Sequence, residues 1–177
     1  MKLIGKIVFI MMVLLLFPCS CIEEEETSLE DVVTRGMKLP DFAVVMNDGT
    51  TVTGATLRNT VSIVMFFHTE CPDCQEALPR MQRLYDEYAQ QGVTFALISR
   101  EEEAASIAAY WAEQGFTMPY SPQPDRKVYE LFAYKRVPRI YISECGGTVR
   151  YIFTDDPVPD DATLSAAMKQ VLLSPKG

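Results

Sequence analysis

Histidine and cysteine are scarce in this chain, which has one histidine and five cysteines among its 177 residues. A structural zinc site usually needs four such ligands, often supplied by two Cys-x-x-Cys pairs. The sequence offers one such pair, Cys71 and Cys74, and its single histidine is His68. A disulfide framework would show more cysteines, spread along the chain. The scarcity argues against both kinds of site and favours a redox role for Cys71 and Cys74.

Apolar runs as long as a membrane-spanning helix, roughly 20 residues, are also missing near the N-terminus. The run at residues 7–17 is shorter, and it follows Lys2 and Lys6. A short basic region before an apolar run of this length is typical of a secretory signal. The sequence therefore predicts export.

The chain also has fewer basic than acidic residues: it contains 16 Lys and Arg and 24 Asp and Glu, which gives a formal net charge of −8. This balance argues against binding to nucleic acid and against electrostatic docking on anionic lipid. Attachment to a membrane would need a lipid.

The end of the apolar run resembles a bacterial lipoprotein signal, in which a small residue precedes a cysteine that is lipidated and becomes the new N-terminus. Cys21 follows Ser20 and fits this role, whereas Cys19 follows Pro18, which suits a signal peptidase poorly. A lipid on Cys21 would anchor the protein durably in a membrane. Ordinary secretion, with both cysteines left over, is the alternative.

We expect three segments: a lipoprotein-type signal peptide at residues 1–20, an acidic tether at 21–36, and one domain at 37–177. The four glutamates at 23–26 suit a solvated tether. They also resemble a signal that sorts some Gram-negative lipoproteins to the outer face of the outer membrane. The predicted location is the cell envelope, on the periplasmic face or the outer-membrane surface.

Apolar runs separated by turn signals predict an alternation of strands and helices. The expected strands are 42–46, 50–53, 61–67, 93–98, 139–142 and 148–153, and the expected helices are 72–91, 99–115, 126–134 and 162–173. Ser99 and Glu102 match a capping box at the start of the second helix. This order predicts an α/β fold with a central sheet covered by helices on both faces.

The Cys71-Pro72-Asp73-Cys74 stretch falls where a buried strand ends and a helix begins. Unpaired backbone N–H groups and the helix dipole favour an anion at that point, and the thiolate is the form that attacks a disulfide. Proline is at home in a first helical turn. We expect the first cysteine to be exposed at the tip and the second to lie beneath it.

Residues 61–79, with their strand, Cys-x-x-Cys and helix, resemble the active-site segment of the thioredoxin superfamily, and Pro79 stands at the place of that family's helix-kinking proline. The hairpin at 41–53, the insert at 101–116 and Val137-Pro138 before a strand narrow the likeness to the TlpA/ResA-like branch. That branch consists of exported, often membrane-anchored thiol-disulfide oxidoreductases. It implies a thioredoxin-like fold with a mixed central sheet, an N-terminal hairpin and one insert.

The resemblance assigns the roles in catalysis. Cys71 corresponds to the attacking cysteine, Cys74 to the resolving cysteine, and Pro138 to a proline whose peptide bond is cis and which faces the dithiol. The supporting neighbours are Pro72, Asp73, Glu70 and Val137. No cofactor beyond the Cys71–Cys74 disulfide and no metal is expected.

The chain departs from the family at several positions. Glu70 replaces a common tryptophan, Met65 stands where thioredoxin keeps a buried acid, and Ala77 stands where relatives often carry a glutamate. The proton acceptor for Cys74 is therefore not identified by sequence. Arg139 follows the proline where a small hydroxyl residue is common.

The charges near the pair bear on the direction of electron flow. Glu70 and Asp73 both oppose a thiolate at Cys71, whereas the helix N-terminus and a long, mobile Arg139 side chain favour one. We expect the two acids to prevail, so that the protein acts as a reductant. His68 is interpreted as a structural loop residue and Cys145, at a hairpin turn, as a free exposed thiol.

Three functions follow from this reading. The first is reduction of protein disulfides, with electrons from a membrane donor of the thiol-relay type, as the family implies. The second is a non-catalytic thioredoxin-like binding module in an outer-membrane or surface assembly. The third is a thiol peroxidase. Peroxidases of this superfamily carry threonine three residues before the reactive cysteine, where this chain has His68 before Cys71.

Overall fold

The fold is organised around β3 (Ser62–Phe67), a strand whose six residues are all buried. In the computed structural model, which describes residues 30–174, β3 is parallel to β4 and antiparallel to β6, so the sheet is mixed. The sheet order is β5-β4-β3-β6-β7. The other strands are β4 (Thr94–Ser99), β5 (Tyr120–Ser121), β6 (Arg139–Ser143) and β7 (Val149–Phe153).

A separate two-stranded hairpin precedes this sheet, as the sequence predicts. Its strands are β1 (Ala43–Val45) and β2 (Thr51–Thr53), and its turn includes Gly49 at a φ of 84°. Four α-helices complete the described chain: α1 (Gly54–Arg58), α2 (Pro72–Tyr88), α3 (Ala104–Gln114) and α4 (Asp161–Leu173).

Adjacent phenylalanines of β3 pack on opposite faces of the sheet, because successive strand residues alternate. The Phe67 ring lies 5.1 Å from Trp111 of α3, and the Phe66 ring lies 4.9 Å from Phe132 on the other side. On the first face α2 also packs against α4. The predicted α/β class and thioredoxin-like architecture are confirmed.

The prediction of a helix at 126–134 is wrong, because this segment forms only a single 3₁₀ turn, Tyr129–Leu131. The backbone after this turn pairs with another part of the chain. Ala133 forms a bridge with Asp31, and the Tyr134 N–H donates to the Glu30 carbonyl oxygen. The Tyr134 N–H and the Phe132 carbonyl oxygen therefore pair with the N-terminal segment and do not continue the turn as a helix.

The capping box expected from Ser99 and Glu102 is wrong too. Ser99 ends β4, and its hydroxyl accepts from the Gln123 N–H at 2.8 Å. Glu103 is the N-cap of α3, with no side-chain hydrogen bond at the cap. The side chain of Glu102 is directed to another part of the chain, the loop before the cysteines.

Residues just before position 37, where the domain is expected to begin, pack against the rest of the fold. Val33 is buried, and its N–H donates to the Phe132 carbonyl oxygen at 2.9 Å. The expected signal peptide, Cys21 and the glutamates at 23–26 lie outside the described residues. Between residues 30 and 174, no helix combines the length and apolar character needed to cross a bilayer.

Candidate active site

Cys71 is the N-cap residue of α2, and Pro72 follows it at the first helical position. Cys71 is half-buried, whereas Cys74, one turn further on, is fully buried, and both are free thiols. The helix N-terminus at Cys71 offers backbone N–H groups and a positive dipole end, which favour a thiolate. The two cysteines thus differ in their access to a partner.

Burial raises the pKa of the Cys74 thiol well above its usual range, because a thiolate there would be cut off from water. A backbone hydrogen bond from His68 acts in the opposite direction, the adjacent Cys71 raises the pKa further, and the positive charge of Arg100 lowers it. Cys74 is therefore protonated at neutral pH and must lose its proton before it can act as a nucleophile.

The segment before β6 lies directly against the first cysteine. The Cys71 thiol donates to the Val137 carbonyl oxygen at 3.4 Å, and the Val137–Pro138 peptide bond is cis, as expected. Pro138 is buried at this point. The structure therefore brings Cys71, Val137 and Pro138 together at the end of the sheet.

The other supporting residues sit at the rim of the cysteine pair. Pro72 and Glu70 are exposed and Asp73 is half-buried. Asp73 lies in the first turn of α2, where the helix dipole stabilises an acid. Both carboxylates add negative charge beside Cys71.

Glu102 was missed as a site residue by the sequence reasoning. Its side chain is buried, and its carboxylate accepts from both the backbone N–H of Thr69, at 2.9 Å, and the Thr69 hydroxyl. Thr69 lies two residues before Cys71, in the loop that joins β3 to α2. A buried carboxylate therefore lies directly beneath the loop that leads into the cysteine pair.

His68 makes specific contacts within this loop. Its Nδ1 accepts from the Glu70 N–H at 3.2 Å and lies 4.0 Å from the Glu102 carboxylate. Its backbone carbonyl accepts from the Cys71 N–H at 3.1 Å. The contacts agree with the interpretation of His68 as a structural loop residue, and they link it to both Glu102 and Cys71.

Arg100 is the cation near the resolving cysteine. It follows β4, and its backbone N–H donates to the Phe67 carbonyl oxygen at 2.9 Å. Its guanidinium lies 5.3 Å from the centre of the Tyr129 ring. Arg100 and Glu102 both follow a strand parallel to β3. The carboxyl ends of neighbouring parallel strands meet at one edge of a sheet. The position of Arg100 and Glu102 directly after β4 could therefore have indicated that they lie in the site.

Arg139 corrects another expectation, since it is not a mobile cation. It is 2% exposed, its guanidinium pairs with Asp31, and its Nε donates to the Lys135 carbonyl oxygen at 2.9 Å. The first residue of β6 faces the core, where an arginine needs fixed partners. Its charge is paired with Asp31, so Arg139 is not free to favour a thiolate at Cys71 as expected.

Cys145 lies away from these groups, near the start of β3. It is half-buried, which differs from the expected exposed thiol, and its Sγ lies 3.5 Å from the Asn59 carbonyl oxygen. It borders a cavity of about 280 Å³ that Val61, Val93 and Leu172 also line. Within residues 30–174, no group of three His, Cys, Asp or Glu side chains is arranged to hold a metal ion.

Known proteins share this fold and sequence pattern. The model of the AhpC/TSA family matches residues 35–152. The thiol-disulfide oxidoreductase ResA of Halalkalibacterium halodurans is 24% identical over 116 residues, which cover 65% of this chain and 66% of ResA. The chain therefore spans just under two thirds of the length of this relative.

Solved structures share the fold, and two of them serve as examples. A proposed protein disulfide isomerase of Bacteroides thetaiotaomicron matches with a TM-score of 0.73 at 20% identity, over 82% of this chain and 92% of that one. A thioredoxin-family thiol:disulfide interchange protein of Chlorobium tepidum matches with a TM-score of 0.68 at 24% identity, over 79% and 99%. With a family model that spans more than half of its length, the chain belongs to the AhpC/TSA family, and it is a TlpA/ResA-like protein of the thioredoxin superfamily.

Proposed function

We propose that this protein is a thiol-disulfide oxidoreductase that reduces disulfides of other proteins in an exported compartment. The observation that carries the proposal is the difference between its two thiols. Cys71 is half-buried at a helix N-terminus, and Cys74 is fully buried one turn behind it. The Cys71 thiol can react with a substrate, whereas the buried Cys74 thiol can react only afterwards, with the Cys71 sulfur.

The reaction follows from this arrangement. The Cys71 thiolate attacks one sulfur of a substrate disulfide, and the other substrate sulfur leaves as a thiolate and takes up a proton. Cys74 then loses its proton to water and attacks the Cys71 sulfur, which releases the second substrate thiol. The substrate gains two electrons, and the protein is left with a Cys71–Cys74 disulfide.

The Val137 carbonyl beside Cys71 supports the first step. It accepts a hydrogen bond from the Cys71 thiol at 3.4 Å and so orients the sulfur at the start of β6. Pro138 offers no N–H there, so it does not compete for hydrogen bonds at the sulfur. These are positioning roles for Val137 and Pro138.

Reduction is favoured over oxidation by the charges near the site. Glu70 and Asp73 oppose a thiolate at Cys71, and a less stable thiolate makes the oxidised form relatively more stable. A membrane electron donor would reduce the disulfide again after each turnover. The secretory-type N-terminus and Cys21 support a location in the cell envelope, with a lipid anchor.

Insulin reduction tests the activity. Wild-type protein, kept reduced by a slow dithiol, should precipitate insulin chains faster than the dithiol alone. A rate equal to the dithiol alone would favour the binding module, and rapid turnover of hydrogen peroxide in its place would favour the peroxidase. Cys74→Ala should stall at the mixed disulfide and capture substrates for identification by mass spectrometry, with a Cys71→Ser/Cys74→Ala variant as the matched control.

A further inference from the structure

Glu102 is the only acidic residue that is buried between residues 30 and 174, at 6% exposure. A carboxylate in such a place is unfavourable unless hydrogen bonds replace its water. Thr69 supplies two of them, from its backbone N–H and its hydroxyl. The fold therefore places a costly charge directly beneath the loop that leads into the dithiol.

The backbone before Glu102 is held in an uncommon conformation. Glu101 has a φ of 59°, in the left-handed region that residues other than glycine rarely adopt. This turn lets Glu101 face outward to Arg126, at 2.9 Å, while Glu102 faces inward. Such a conformation persists where the surrounding structure fixes it, often at functional sites.

Thr69 is held at each of its polar groups. Glu102 accepts from its N–H and its hydroxyl, and the Gln75 side chain donates to its carbonyl oxygen at 2.8 Å. The carbonyl oxygen of the preceding residue, His68, accepts from the Cys71 N–H at 3.1 Å. The backbone of His68 also lowers the pKa of the Cys74 thiol. A displacement of Thr69 would therefore shift the backbone contact of Cys71 and change the surroundings of the Cys74 thiol.

We propose that Glu102 is a positioning residue for disulfide exchange, because it holds Thr69 and, through the loop, the backbone of His68, which contacts Cys71 at the start of the cysteine pair. The proposal rests on the oxidoreductase activity proposed above. The step that it serves is the attack of Cys74 on the Cys71 sulfur of the mixed disulfide. That step depends most on the relative position of the two cysteines.

Three variants test this role. Glu102→Ala removes both hydrogen bonds to Thr69. In Glu102→Gln, the amide oxygen can accept from the Thr69 N–H and the amide nitrogen can donate to the Thr69 hydroxyl, so the loop is held without the charge. Thr69→Val removes the hydroxyl bond alone. Glu103→Gln, at the exposed neighbouring residue, is the matched control.

The rate of substrate release from a mixed disulfide with a model peptide should be measured by rapid quench, at a temperature well below each variant's melting point. We expect Glu102→Ala to slow release about 10- to 100-fold, the range that a small misplacement of reacting groups produces. Thr69→Val should give a smaller loss, Glu102→Gln should restore most of the rate, and Glu103→Gln should match the wild type.

Each result decides the matter. A Glu102→Ala variant with the wild-type rate would overturn the proposal, and so would a Glu102→Gln variant as slow as Glu102→Ala, since the carboxylate would then act by its charge. If Glu102→Ala does not fold, circular dichroism will show it, and Thr69→Val and Glu102→Gln carry the test: a wild-type rate for Thr69→Val then overturns it. Wild-type protein without activity would instead refute the proposed function.

Discussion

The Sγ atom of Cys71 lies 3.4 Å from the carbonyl oxygen of Val137, although the two residues are 66 positions apart in the chain. The contact joins the start of α2 to the start of β6. It also places the half-buried thiol beside the segment that enters β6, so a substrate disulfide that reaches the Cys71 sulfur would lie close to Val137 and Pro138. Several consequences of this arrangement can be measured.

Cys71→Ser should abolish insulin reduction, because a serine hydroxyl at the helix N-terminus neither forms a disulfide nor attacks one at a useful rate. Cys145→Ser should leave the rate nearly unchanged, since Cys145 lies near the other end of β3. The assay is the turbidity of reduced insulin. Equal losses in the two variants would show that the redox pair has been assigned wrongly.

The reduced protein should lose stability as the pH rises above about 8.5, the usual pKa of a thiol in an unfolded chain. Burial raises the folded-state pKa of Cys74, so the folded state keeps its proton where the unfolded state gives it up. The stabilising contribution is complete below that pH and declines above it by up to about 1.4 kcal/mol per pH unit.

Urea unfolding of the reduced protein between about pH 8 and about pH 9.5 measures this slope. Reduced Cys74→Ala and the oxidised wild type should both show a flatter pH dependence, because neither has a Cys74 thiol to titrate. Reduced Cys145→Ser should keep the wild-type slope. An unchanged slope in Cys74→Ala would mean that another group dominates the titration.

Removing an acid beside the first cysteine should make the protein more oxidising. Asp73→Asn or Glu70→Gln takes away a charge that opposes the thiolate, and for such solvent-accessible charges we expect a rise of roughly 10–20 mV. Glu87→Gln, in the last turn of the same helix, is the control and should not shift the potential. Equilibration with a glutathione buffer gives the values.

The wild-type potential itself tests the direction of electron flow. A reductase should lie closer to the thioredoxin value of about −270 mV than to the value of about −120 mV that marks a strong oxidant. A wild-type value above roughly −180 mV, where the isomerases lie, would contradict the reductase assignment.

Asp31→Ala should destabilise the protein, because it leaves the Arg139 guanidinium without its partner in the core. Breaking a fully buried ion pair costs about 3–5 kcal/mol. Since the Asp31 side chain is 29% exposed, we expect about 2 kcal/mol after allowing for solvent screening. Asp41→Ala, which removes an exposed partner of Arg58, is the control for chemical denaturation and should leave the midpoint unchanged.

The lipid anchor has a direct test. Mass spectrometry of the membrane fraction should find an acylated peptide that begins at Cys21, and Cys21→Ala should move the protein to the soluble fraction. An unmodified N-terminus further along the chain would contradict the anchor without affecting the proposed chemistry.

Sequence predicted the parts of the structure that are coded locally. The apolar run of β3 and the helix that begins at Pro72 each depend on a few neighbouring residues, and each was found where expected. The cis bond at Pro138 was expected from the family resemblance and not from its neighbours, and it is present. The helix expected at 126–134 failed because its backbone bonds to Glu30 and Asp31, about a hundred residues earlier. No local pattern reports such a partner.

The site shows the same limit. Ser99 and Glu102 match a capping box by spacing alone, but a glutamate at that spacing can equally turn to a neighbouring loop, and here Thr69 provides two donors for it. The sequence shows that Arg139 follows Pro138, but its burial depends on Asp31, a partner more than a hundred residues earlier that the sequence pattern does not reveal. The missing acid at Ala77 could be read from sequence, whereas the buried acid at Glu102 required the fold.

The N-terminal end of the described chain lies beside the dithiol. Glu30 pairs with Lys135 and Arg136, which directly precede Val137. If Cys21 carries a lipid, the residues between it and Glu30 reach at most about 30 Å when fully extended, roughly the thickness of a bilayer's hydrocarbon core. The dithiol would then be confined to a thin layer above the membrane, where partners fixed in the same membrane meet it at a high effective concentration.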